Sequence, residues 1–200
     1  MTRGARAMTG GANAWLTVAA LLGAVALGGT LLKPESIDWQ PLLAWREPWR
    51  AFSAVGVHYS TQHLIVNWVG LAVVAAFGVV AQVPARVAWA WLAAWPLTQF
   101  GLLLRPDLAH YGGLSGVLHA GVAIATLWLL VAARGRRRWI GAAVGAGLIV
   151  KLLLEQPWGP ALREGGGWDI AIAPLAHASG AAAGALCALL AWAWRRESRP

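Results

Sequence analysis

Two histidines, an asparagine and a serine stand inside apolar runs of this chain: His63 and Asn67 in HLIVN, Ser115 in GLSG, and His177 in AHASGAAAG. Burying a polar group in hydrocarbon is costly, so an intramembrane one is read first as functional. Serine with histidine is the pairing of nucleophilic acyl transfer. A hydroxyl is a weak nucleophile until a neighbouring base takes its proton, and neutral imidazole serves near neutral pH. An asparagine amide and a second imidazole are suitable donors for the oxyanion that forms on a carbonyl under attack. His63 and Asn67 are i and i+4 and share one helix face. The amide N–H of Ser115 is a third donor.

Small residues surround both reactive side chains. Gly113 and Gly116 bracket Ser115 and leave its hydroxyl open to a substrate backbone. Gly180 and Gly184 follow His177 on the same helical face and clear space for a neighbouring helix. Taken alone, each pattern has a bland reading: HxxxN as a polar helix contact, GxSG as chance in a Gly/Ala-rich chain, HxxGxxxG as packing. In order, on separate spans and at matching depth, the three are far more specific. Asp107 and Asp169 lie in loops and Glu155 near a span end, so the expectation is a Ser115–His177 dyad without a carboxylate. Lys151 and Glu155, i and i+4, are read as an interfacial pair that says little about function.

The elements that must position these residues are membrane helices. The 200 residues are 58% hydrophobic and 12% charged, against about a quarter charged in soluble domains, and mean hydropathy is +0.58. The net charge of +8 sits in short arginine clusters between apolar runs. That distribution reads as topology signals and anionic-lipid contacts rather than nucleic-acid binding. About 20 helical residues cross a bilayer. The expected fold is all-α, a single membrane domain over 1–200 with six spans at about 13–32, 61–82, 86–104, 113–133, 139–155 and 171–194. Tryptophans near span ends (Trp15, Trp89, Trp139, Trp158, Trp168, Trp192, Trp194) suit an interfacial belt. Cys187 lies within an apolar run, so no disulfide framework is expected.

Basic residues set the expected orientation. With the N-terminus inside, Arg3, Arg6, Arg86, Arg134, Arg136, Arg137, Arg138, Arg195, Arg196 and Arg199 are cytoplasmic, against Lys33, Arg46, Arg50, Arg105, Lys151 and Arg163 outside. Both termini are then cytoplasmic, and Ser115 and His177 sit near the outer ends of their helices.

With these residues in place, the chain resembles a rhomboid-family intramembrane serine protease. Trp49-Arg50 matches the tryptophan-arginine pair of rhomboid loops, and His58 precedes His63 by five residues as a rhomboid histidine often does. Gly112-Gly113-Leu-Ser115-Gly116-Val117 is similar to the family's nucleophile segment, and Ala176-His177 with Gly180 and Gly184 to its base segment. The resemblance implies a six-helix bundle with Ser115 as nucleophile, His177 as base, and His63 and Asn67 at the oxyanion. Where many rhomboids carry a tyrosine four residues after the serine, packing on the histidine, this chain has His119. That and the short length are similar to the rhombosortase branch. The implied substrates are single-span membrane proteins with a C-terminal Gly-Gly segment, helix and basic tail. The implied site is a bacterial inner membrane, with the reaction centre open to the periplasm.

Two other classes fit parts of the pattern. Five histidines near the outer leaflet would suit metal binding or transport, but the chain lacks HExxH and a carboxylate within the spans. No metal or other cofactor is expected. A non-catalytic rhomboid-like binder of membrane clients would normally lack the serine or the histidine, and both are present.

Overall fold

The computed structural model describes residues 3–167 and 169–197. Trp168 and Arg199, and the side chains of Arg3, Arg6, Trp194, Arg195 and Arg196, lie outside the described residues. The protein is all-helical, with eight α-helices and no extended strand among the described residues: α1 (Arg3–Gly29), α2 (Pro34–Ile37), α3 (Arg50–Ser53), α4 (Thr61–Val80), α5 (Ala85–Phe100), α6 (Ser115–Ala132), α7 (Arg136–Glu155) and α8 (Pro174–Glu197).

Five of these are long and apolar enough to cross a membrane: Thr9–Gly29 of α1, α4, α5 with the 3₁₀ turn to Leu104, α6, and Pro174–Ala193 of α8. The segment expected as the fifth span forms the helix α7. Its 20 residues would extend about 30 Å, but Arg136, Arg137, Arg138, Lys151 and Glu155 set it apart from the five by composition. Span edges also differ from expectation. Helix α1 stops at Gly29 rather than 32, where Gly28-Gly29 removes side-chain support and Gly29 lies against the Gly56 backbone. Residues 113 and 114 precede α6, and 171–173 precede Pro174, the first residue of α8.

Helix α6 is the central element, packing against α4, α5, α7 and α8. The core joins Trp15, Val18 and Leu22 of α1, Leu71 and Val74 of α4, Trp91 and Ala94 of α5, Val117 and Ile124 of α6, and Ala183 and Cys187 of α8. Trp15 departs from the expected belt. It is fully buried, stacked on Trp91 with centroids 4.4 Å apart. Its indole N–H donates to Val74 O at 3.1 Å, and that of Trp91 to Val117 O at 2.8 Å. A buried indole needs such an acceptor, and these bonds tie α1 to α4 and α5 to α6. Trp89, Trp139 and Trp158 are exposed, as a belt requires.

The first long connection, 30–60, is held by buried charge. Arg50 donates through Nη1 to Glu35 O (3.0 Å) and Asp38 O (2.9 Å) and pairs with the carboxylates of Asp38 (3.2 Å) and Glu47 (2.5 Å). The loop is thereby folded onto backbone carbonyls. Asp38 also accepts from His110 Nδ1 at 2.6 Å. A paired bridge between Trp39 and Tyr111 lies next to it. His110 thus locks the segment before α6 to this loop.

Candidate active site

Ser115 is the first residue of α6, and the first helical bond runs from Leu118 N to Leu114 O at 3.0 Å. The N–H groups of Ser115, Gly116 and Val117 therefore have no acceptor within the helix. They form a positive end beside the serine hydroxyl. Gly113 brings the chain into this position with φ of +131°, and a Cβ there would stand 2.8 Å from His63 Nε2. Both the left-handed backbone and the close imidazole require glycine at this position.

The two spans expected to touch do so. Ser115 Oγ lies 2.9 Å from His177 Nε2, a hydrogen-bonding distance. Small residues allow the approach: a Cβ on Gly180 would collide with Gly116 O, and one on Gly184 with Ala120 O. Gly116 is as constrained, facing Ala176 O and the Thr98 methyl.

His119 lies one turn along α6 and stacks on His177 with ring centroids 4.3 Å apart and planes 16° apart. Its Nδ1 donates to Ser115 O at 2.7 Å. The flat packing surface against His177 is thus supplied by imidazole.

Ser115, His119 and His177 share a cavity of about 550 Å³ with His63, Asn67, Tyr59 and a mostly aliphatic lining from α4 and α7. Ser60 caps α4 by accepting from His63 N at 3.0 Å, which fixes the first turn carrying that ring. His63 is 6% exposed, and its Nδ1 has no hydrogen-bond partner among the described residues. A buried polar atom left unpaired calls for an explanation in function or solvent. Asn67 Nδ2 uses one proton on His63 O at 2.9 Å and keeps a second.

His58, Trp49 and Arg50, which carry part of the family resemblance, lie in the first long connection and do not line the cavity. His58 packs its ring 5.0 Å from that of His63 and bonds Gly56 O through Nδ1 at 3.3 Å. Burial lowers its pKa, with the backbone bond opposing. Trp49 is half exposed, with the Arg50 guanidinium 5.8 Å from its ring centre. Burial, reinforced by the negative charge of Asp38, pushes the phenol of Tyr59, which does line the cavity, above its ordinary range, so it remains a neutral donor there.

One residue the sequence reading set aside stands in the site. Glu155, the last residue of α7, places Oε2 2.7 Å from His177 Nδ1, while its Oε1 pairs with Lys151. The signal available in the sequence was the ionisable pair itself, close to the end of an apolar run. Among the described residues no cluster of His, Cys, Asp and Glu could hold a metal ion.

The sequence profile of the Rhomboid domain matches residues 45–194. The protein belongs to the rhomboid family, whose members are generally intramembrane serine proteases acting on membrane-protein substrates within the bilayer. With its apolar helices, the match makes this an integral membrane protein. Comparisons with curated proteins and with solved structures gave no match.

Proposed function

We propose that the protein is a serine endopeptidase that cleaves membrane-anchored proteins near the outer face of the bilayer. The observation that carries this reading is the 2.9 Å contact between Ser115 Oγ and His177 Nε2 inside a cavity within an apolar bundle. His177 takes the hydroxyl proton as Oγ bonds to the substrate carbonyl carbon. The resulting oxyanion accepts from the Ser115 N–H and from His63 and Asn67. Collapse breaks the C–N bond, with His177 returning the proton to the leaving amine, and water then hydrolyses the acyl-serine by the reverse proton route.

With α7 counted as a fifth span among six, both termini lie on one side, and the excess of basic residues there favours the cytoplasm. This orientation opens the cavity to the periplasmic side of a bacterial inner membrane. His119 in place of tyrosine supports a rhombosortase, whose clients are single-span proteins ending in Gly-Gly, a helix and basic residues.

The test pairs a fluorophosphonate probe with a single-span reporter carrying such a tail. Wild-type protein should be labelled at Ser115 and cleave the reporter. Ser115→Ala and His177→Ala should do neither while remaining folded, since loss of a nucleophile or base removes orders of magnitude in rate. Cleavage by Ser115→Ala at the wild-type rate would overturn the reading.

A further inference from the structure

The geometry points to Glu155 as a positioning residue for His177, with Lys151 holding the carboxylate in place; this rests on the serine-protease reading above. An ionised carboxylate only accepts hydrogen bonds. At 2.7 Å from Glu155 Oε2, His177 Nδ1 must therefore carry the ring proton. The lone pair then lies on Nε2, the atom that faces Ser115 Oγ at 2.9 Å. The two contacts form one line from carboxylate through imidazole to hydroxyl, in the sense that general-base chemistry requires.

The surroundings favour the ionised carboxylate. Glu155 Oε1 pairs with Lys151 one turn earlier on α7, and the two side chains are 17% and 46% exposed. Arg163 donates to Glu155 O at 2.8 Å, placing a second cation at the end of this helix. Lys151 Nζ stands 3.5 Å from His177 Nδ1. With a proton on each nitrogen, that approach is not a hydrogen bond, and the lysine is held by Glu155 rather than by the histidine.

In the reaction Glu155 gains no proton. It fixes the ring orientation and tautomer, and it balances the positive charge while His177 holds the serine proton. His119 braces the opposite degree of freedom, the tilt of the ring, by stacking on its face. The Ser115–His177 pair thus becomes a three-residue array, its carboxylate supplied by α7.

The competing role is a latch: Glu155 and Lys151 merely fasten α7 to α8. Full-length protein in bicelles separates the two, with the fluorophosphonate labelling rate resolved into its limiting rate and half-saturating concentration. Glu155→Gln should lower the limiting rate by roughly 10²- to 10⁴-fold, as expected when the histidine loses its carboxylate, leaving half-saturation within about twofold. Glu155→Asp should recover part of the rate. Lys151→Met should lose less than Glu155→Gln, because the acceptor on Nδ1 remains. Equal losses in Glu155→Gln and Lys151→Met, in proportion to lost stability, would establish the latch and overturn the proposal. Should Glu155→Gln fail to fold, ¹⁵N-histidine spectra of wild-type protein decide it, with the His177 signals assigned by difference from His177→Gln. A proton on Nδ1 supports the proposal and a proton on Nε2 overturns it. Ser115→Ala runs alongside: persistent labelling there would sink the protease reading itself, separately from the role of Glu155.

Discussion

The imidazole rings of His119 and His177 lie face to face, one turn of α6 against the start of α8, with 4.3 Å between centroids. Aromatic pairs of this kind contribute about 0.5–1.5 kcal/mol. His119→Ala should therefore lower the limiting labelling rate by about three- to tenfold, and His119→Phe should retain most of it. An equal loss in both variants would assign the effect to the hydrogen bond from Nδ1 to Ser115 O instead.

The oxyanion assignment predicts a different kinetic signature. Asn67→Ala and His63→Ala should each reduce kcat by about 10²-fold with little change in KM, because their donors meet charge that develops only in the transition state. The Ser115 N–H preserves residual turnover. A variant altered in KM alone would remove that residue from the oxyanion site.

Asp38 is 1% exposed and accepts from Arg50, Gln40 and His110. Asp38→Asn leaves the buried Arg50 with Glu47 as its remaining carboxylate partner and should lower stability by about 1–3 kcal/mol, less than for a fully uncompensated buried charge. Thermal unfolding in detergent should show this as a reduced Tm. The fluorophosphonate labelling rate well below Tm should change far less, since Asp38 does not line the cavity.

Orientation is tested with single cysteines at Arg136 and Glu164, both exposed, in a Cys187→Ala background. A membrane-impermeant thiol reagent added to intact cells should label position 164 and spare 136. The reverse pattern would place the cavity on the cytoplasmic side. Labelling at both would show that α7 does not span.

The residues that stood out in the sequence are those whose polarity conflicts with their surroundings. Ser115, His177, His63 and Asn67 interrupt apolar runs, and one cavity gathers them. Glycine spacing was legible for the same reason, because Gly180 and Gly184 repeat on one face and meet α6 there. Glu155 was not, because its role depends on how α7 is rotated against α8, 22 residues further along the chain, and a charge at a span end is ordinary. The contact between Asp38 and His110 joins residues 72 apart through two loops, beyond the reach of helical periodicity. Trp15 misled because end position and burial are independent: its indole found a carbonyl partner on α4 and entered the core.

Helix α7 has only Gly141 buried among its residues, lodged against Leu129 and the Thr126 carbonyl, and it carries five charges in 20 residues. The arginines and Glu155 lie at its ends and Lys151 one turn inside, where a charge costs less than the roughly 3 kcal/mol of mid-membrane, and the segment enters hydrocarbon less readily than the five apolar helices. Its partitioning depends on neighbours already in place: α6 to receive Gly141 and α8 to present His177 to Glu155. During biogenesis, therefore, α7 should settle only once α8 has been synthesised. On the reading proposed above, seating α7 in the bilayer is also the step that brings Glu155 to His177.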